Sequence, residues 1–353
     1  MPSDSFVVPP PVERGDRVAV VSPAAGLASE FPAVFELGLS RLRDVFDLEP
    51  VVFPSARQSS PFLEEQPRAR AADIHAAFRD PSITGVISTI GGYDQLRVLE
   101  YLDAETLRTN PTRFYGMSDN TNIGLFLWKA GIVSYNGGQL MNELAVRGKL
   151  PAYTERYVSA ALFDGSLGEV APSDVWTDEP TDWWGDDPLP TTPPSYRPNP
   201  GWEWAGGTHR VSGPVWGGCR AVVDQHLACE QYLPEPSRLE GAILALEIAT
   251  DLPSPDQVAT SLLCLGERGL LDLFSAVVIG RIPGRNRTRQ PSRAQQDQYR
   301  ESVRSAIQQQ VARYNPDAPL VFGLDWGHTT PTVPLPLGSD VEVDPQRNRI
   351  AVV

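Results

Sequence analysis

A chain of 353 residues, 41% hydrophobic and 21% charged, is long enough for two domains that each bury a core, and its composition excludes wholesale disorder. Its net charge of −14 excludes a general nucleic-acid binder, which needs a basic face, and disfavours docking on an anionic membrane. The three cysteines, Cys219, Cys229 and Cys264, are an odd number without a C-x-x-C spacing; the expectation is buried free thiols in a reducing compartment, with no disulfide framework and no zinc site.

Near the N-terminus, Pro9-Pro10-Pro11 is accompanied by no basic segment leading into an apolar core. No apolar run approaches the ~20 residues of a membrane helix, so a cytoplasmic location is expected. Arg17-Val18-Ala19-Val20-Val21-Ser22 predicts a first buried strand, broken by Pro23. Phe31, Val34, Phe35, Leu39, Leu42, Val45 and Phe46 then recur at helical spacing, and Pro50-Val51-Val52-Phe53 predicts a second strand. A helix through Ala71, Ile74, Ala77 and Phe78 leads to a third strand at 85–90. Helical Leu96, Val98, Leu99 and Leu102 precede a fourth at 113–116. Apolar strands alternating with helices imply an α/β fold, a doubly wound and mostly parallel sheet covered on both faces.

Residues 167–208 break the pattern. Trp176, Trp183, Trp184, Trp202 and Trp204 stand among prolines and acidic residues with little periodicity. The stretch reads either as a connection pinned by aromatic anchors or as a loop that covers substrate, the second being favoured because tryptophans argue against disorder. Beyond it a smaller α/β unit is expected. Its strands lie at 241–249, 275–280, 341–343 and 350–352, and its helices at 258–265 and 299–314. The domain reading is therefore 1–166, a connecting loop at 167–208, and 209–353.

Tyr115-Gly116-Met117-Ser118-Asp119-Asn120-Thr121 carries a strand through a glycine and a serine into an apolar helix. A serine there projects its hydroxyl at the C-terminal edge of the sheet, where amides and the helix dipole stabilise negative charge. Ser118 or Asp119 as a plain helix cap is the competing reading, and G-M-S-D is not a G-x-S-x-G elbow. Gly91-Gly92, at another strand end, lets backbone approach a ligand and offer amides to an anion, though β–α turns use such pairs routinely. Of four histidines, His75 should face solvent and His226 should be structural. His209 borders the tryptophan-rich stretch, and His328 lies in a glycine-flanked loop, Gly327-His328-Thr329-Thr330-Pro331. Glu247 interrupts an apolar strand and needs a partner, either an imidazole that it orients or one of the arginines. Arg281, Arg285, Arg287, Arg289 and Arg293 read as a solvated loop rather than an anion site.

Together these motifs resemble the LD-carboxypeptidase family, from Val18-Ala19-Val20-Val21-Ser22-Pro23 to Pro334-Leu335-Pro336-Leu337-Gly338. The resemblance implies a Ser–Glu–His triad of Ser118, Glu247 and His328, with the backbone amides of Gly92 and Asp119 as oxyanion donors. It also implies a homodimer that needs neither cofactor nor metal, and no partner of the nucleic-acid or membrane kind. Gly91-Gly92-Tyr93-Asp94 and the long tryptophan-rich insertion look more like the family's microcin C self-immunity branch, which hydrolyses aminoacyl-nucleotide amides. An aromatic loop can stack on a base there, so Gly91, Trp183 and Trp184 are expected substrate contacts. The alternatives are trimming of the terminal D-Ala from murein tetrapeptides in cell-wall recycling, and a non-catalytic protein that binds a small molecule or nucleotide.

Overall fold

A computed structural model describes residues 6–185, 187, 189 and 192–353. Residues 1–5, and 186, 188, 190 and 191 within the tryptophan-rich stretch, lie outside the described residues. The chain divides into two compact units. One comprises Met1–Ser166, Thr181–Pro194 and Thr332–Gly338; the other comprises Leu167–Pro180, Ser195–Pro331 and Ser339–Val353.

The first unit is built on β1 (Arg17–Val21), β2 (Glu49–Val52), β3 (Ile83–Ser88), β4 (Arg113–Tyr115) and β5 (Ser134–Asn136). These five strands pair in parallel in the order β5-β4-β3-β1-β2. A sixth strand, Leu335–Leu337 (β14 in chain order), returns from far down the chain to pair antiparallel with β5. The β-branched runs account for the strands: Val18, Val20, Val21 and Val86 are fully buried, as strands covered on both faces require. The helices Pro32–Asp44 and Pro67–Arg79 bury the predicted stripes, Val34-Phe35-Leu39-Leu42 and Ala71-Ile74-Ala77-Phe78. The chain leaves β1 for β2 on one side and comes back for β3 on the other. Strand order thus reverses between β1 and β3, where the C-terminal edge of such a sheet opens a crevice.

The second unit has β6 (Gly168–Val170), β7 (Val175–Trp176), β8 (Arg197–Pro198), β9 (Glu203–Gly206), β10 (Val211–Cys219), β11 (Ile243–Glu247), β12 (Ala276–Gly280) and β13 (Pro319–Leu324). It closes with β15 (Asp340–Asp344) and β16 (Arg349–Val352). Its eight-stranded sheet runs β6-β16-β15-β10-β11-β12-β13-β9, with a parallel centre from β10 to β13 and antiparallel flanks. Helices Pro255–Glu267 and Arg293–Tyr314 each begin with a serine capping box, at Ser254 and Ser292.

Several expectations are corrected. The helical spacing after Asp94 is a 3₁₀ segment, Gln95–Tyr101; Leu96, Leu99 and Leu102 recur every three residues, the 3₁₀ period. The stretch at 167–208 is no unstructured connection. It supplies β6 and β9 to the second sheet and the β7–β8 pair, all short enough to hide a period of two. Cys229 and Cys264 are exposed, and only Cys219 is buried. His75 is half-buried and accepts a hydrogen bond from the Asp103 amide (2.9 Å) instead of facing open solvent. Arg281 and Arg285 are not solvated: Arg281 pairs with Asp325 (2.7 Å) and Arg285 with Asp178 (3.0 Å). Arg287, Arg289 and Arg293 are exposed, as expected. Among the described residues, no helix is long and apolar enough to cross a membrane.

Candidate active site

In the first unit, β4 ends at Tyr115 and the next five residues form a tight turn before the helix at Thr121. Ser118 adopts φ +61°, the left-handed region that costs a side-chain-bearing residue ~1–2 kcal/mol. Its sequence is not the G-x-S-x-G pattern, yet it strains the serine in the same manner. Gly116 makes the turn possible, because a Cβ there would lie 2.6 Å from Ser88 Oγ and 2.7 Å from Asn120 Cβ. A 3₁₀ turn, Ser118–Asn120, feeds the helix Thr121–Lys129, which buries Ile123, Leu125, Leu127 and Trp128. Ser118 is thereby held half-exposed at the head of a fixed apolar helix.

Gly91 packs directly on this serine. A Cβ at Gly91 would stand 2.8 Å from Ser118 Cβ, 2.9 Å from its Oγ and 3.3 Å from the Asp119 nitrogen. Gly92 is equally confined, against the Ala25 nitrogen, Ala24 Cβ and Asp119 Oδ2. The glycine turn is tied at both ends. The Ala25 amide donates to Gly91 O (3.1 Å), and Asp94 takes both terminal nitrogens of the fully buried Arg70 (2.8 and 3.0 Å). The structure thus brings together four predicted residues, Gly91, Gly92, Ser118 and Asp119, at the sheet edge.

Three buried amides that sequence reading did not single out knit the turns. Gln95 Nε2 donates to Asn120 Oδ1 (2.7 Å), and the Ile123 amide donates to Gln95 Oε1 (3.2 Å). Asn120 Nδ2 donates to Ile90 O, Met117 O and Gln139 Oε1. Asp119 has its carboxylate buried, and burial pushes its pKa up to about 6; the Gln95 amide opposes the shift, Asp94 adds to it, and Arg70 and Asn122 oppose it.

In the second unit, Glu247 ends β11 with 1% of its side chain exposed, and its Oε2 lies 2.6 Å from His328 Nδ1. The partner is the imidazole, not an arginine. Two glycines make room for the carboxylate. A Cβ at Gly327 (φ +91°) would fall 2.7 Å from Glu247 Cβ and 2.9 Å from Oε2, and one at Gly280 would fall 3.0 Å from Glu247 Cβ. Cys219 is the register partner of Glu247 on β10; burial, then the Glu247 charge, raises its thiol well above the ordinary range. Asp251, four residues beyond Glu247, is also raised by burial, with Arg220 and His328 opposing.

The loop that carries His328 is clamped from both sides by the tryptophan-rich stretch. Before it, buried Asp325 accepts from the Ser173 hydroxyl (2.7 Å), the Trp202 indole (3.1 Å) and Arg281 (2.7 Å). After it, Thr177 and Thr330 exchange backbone hydrogen bonds (2.7 and 2.9 Å). Trp176 lies under the guanidinium groups of Arg197 (3.8 Å), Arg281 (4.8 Å) and Arg300 (5.0 Å). Trp204 is half-buried on β9. Only Trp184, 55% exposed, presents a broad face; it and buried Trp183 rest on Phe31, at 4.6 and 5.5 Å between ring centroids. Of the other histidines, His226 is fully buried and His209 is exposed. Among the described residues, no three His, Cys, Asp or Glu side chains group as metal ligands.

One α/β unit presents a strained serine among close-packed amides, and the other holds a buried carboxylate bonded to an imidazole. The chain belongs to the LD-carboxypeptidase family, whose N-terminal domain profile matches residues 18–137 and whose C-terminal domain profile matches residues 212–343. It is 27% identical over 345 residues to a Streptomyces coelicolor relative, covering 96% of this chain and 94% of that one. It is 24% identical to the microcin C7 self-immunity protein MccF of Escherichia coli, over 81% of this chain and 78% of the relative. Among solved structures it resembles an MccF-like protein from Streptococcus pneumoniae in complex with AMP, with 27% identity, a TM-score of 0.85 and coverage of 96% and 99%.

Proposed function

We propose that this chain is a serine peptidase that hydrolyses an amide bond through an acyl-enzyme, with Ser118, Glu247 and His328 as its triad. The observation that carries this reading is the 2.6 Å contact between Glu247 Oε2 and His328 Nδ1. A carboxylate on Nδ1 fixes the ring so that Nε2 acts as the base, and it stabilises the imidazolium that follows. His328 Nε2 takes the Ser118 hydroxyl proton as Oγ bonds to the substrate carbonyl carbon. The amides of Gly92 and Asp119 hold the oxyanion. Collapse breaks the C–N bond, and His328 gives its proton to the leaving nitrogen. Water, deprotonated by the same imidazole, then attacks the acyl-serine and releases the acid and Ser118.

The substrate in this reading is an aminoacyl-nucleotide amide. Trp184 offers an exposed ring of the kind that stacks on a base, and the Streptococcus pneumoniae relative is in complex with AMP. Ser118→Ala is expected to remove turnover while leaving substrate binding measurable by calorimetry. Wild-type enzyme quenched during turnover should carry the acyl group on Ser118 by peptide mass spectrometry. A Ser118→Ala protein with most of its activity would take Ser118 out of the nucleophile role.

A further inference from the structure

The Asp119 side chain has no part in the triad, yet it is only 2% exposed and aimed at the glycine turn. Its Oδ2 accepts from the Gln95 backbone amide (3.1 Å), and its Oδ1 accepts from Asn122 Nδ2 (3.0 Å). Gln95 begins the 3₁₀ segment three residues after Gly92, and a Cβ at Gly92 would itself lie 3.1 Å from Asp119 Oδ2. One carboxylate therefore spans the two backbone turns that carry the proposed oxyanion donors.

We infer that the Asp119 carboxylate is a positioning group, which holds the Gly92 turn in register with the Ser118 turn so that both amides meet the oxyanion. The inference rests on the serine-peptidase reading and adds a role for the side chain beside that of the Asp119 amide. Both neighbours of the carboxylate are donors. An asparagine at 119 has a single oxygen, so its NH₂ either opposes the Gln95 N–H or makes the Asn122 amide turn and give up its bond to Asp119 O. The Gly92 turn would then shift relative to the serine, and a displacement of about 1 Å in such a site costs on the order of 10²-fold in rate. The fold has less to lose, because burial disfavours the charged carboxyl and the amide is neutral.

Asp119→Asn is thus expected to lower kcat by about 10²-fold with KM within about threefold. A peptide boronic acid that mimics the tetrahedral adduct should bind more weakly by a similar factor, and the melting temperature should hold. Asn122→Ala, which removes one donor to the carboxylate and leaves the Gln95 contact in place, should lower kcat less than Asp119→Asn does. Wild-type kcat in Asp119→Asn would overturn the inference. So would a kcat loss accompanied by a matching fall in melting temperature, or an equal kcat loss in Asn122→Ala. Ser118→Ala assayed alongside separates the two ideas. If it is inactive while Asp119→Asn is normal, only the positioning role fails; if it is active, the serine-peptidase reading fails.

Discussion

Replacing Glu247 by Gln removes one charge and keeps the side-chain volume. The carboxylate is 1% exposed and 2.6 Å from His328 Nδ1, so water cannot substitute for it. At that separation, with an effective dielectric of about 20, a unit charge pair is worth about 6 kcal/mol. Glutamine retains the hydrogen bond when its oxygen faces Nδ1–H, but it withdraws the charge that supports the imidazolium. When its NH₂ faces the ring it selects the wrong tautomer. The comparable substitution in a serine triad costs ~10⁴ in kcat, or about 5 kcal/mol, which agrees with the Coulomb figure. Stability should be kept or raised, since a buried charge is removed. The assay is kcat on an aminoacyl-nucleotide amide at saturating substrate, with the melting temperature of the same preparation. A kcat within tenfold of wild type would refute the reasoning and leave Glu247 a structural partner of His328.

Gly327→Ala should also lower kcat, because the new Cβ would press on Glu247 Cβ at 2.7 Å and the backbone sits at φ +91°; steady-state kinetics at unchanged substrate affinity checks it. Trp184→Ala should weaken binding of a nucleotide-linked amide by roughly 1–3 kcal/mol and spare an LD-tetrapeptide. Trp202→Ala should impair both substrates alike, because Trp202 braces the His328 loop through Asp325. Equal losses on both substrates in Trp184→Ala would sink the stacking idea and favour murein trimming. Asp178 is buried, and burial alone would raise its pKa; the Gly284 amide and Arg300, Arg197 and Arg285 hold it below the ordinary carboxylate range. Its stabilisation is therefore fully present above pH ~4 and lost as pH falls through the lower folded value. Asp178→Asn should cost ~3 kcal/mol at pH 7, and the melting difference from wild type should narrow as pH falls below ~4.

The strand-helix alternation of the first unit was legible because strands buried on both faces must be continuous apolar runs, as at Val18–Val21 and Val86–Ile87. Glu247 stood out by the same logic, as a carboxylate where the strand allows none without a partner. Other features depend on contacts far apart in sequence. Leu335–Leu337 belongs to the first unit because it pairs with Ser134–Asn136, and no local pattern at 335–337 says so. Gln95 and Asn120 are ordinary polar residues until folding places them 2.7 Å apart. Strands of two to four residues in the tryptophan-rich stretch are too short to display any alternation.

That stretch also shows why one composition admitted two readings, anchor or substrate cover. The anchor reading holds for Trp176 and Trp202, and the cover reading rests on the proposed role of Trp184. An indole brings a large apolar surface and one N–H, so it anchors where a buried acceptor waits. Trp202 meets Asp325, and Trp176 meets three guanidinium groups. Ser173, Thr177 and Trp202 together hold the segment from Asp325 to Thr330, and with it the ring of His328 against Glu247. Trp184 packs against Phe31 and Trp183 and keeps half its surface open. An insertion of this composition therefore fixes the His328 loop with its ends and offers an aromatic face from its middle. Deleting it whole would confound the two effects, and single substitutions at Trp184 and Trp202 separate them.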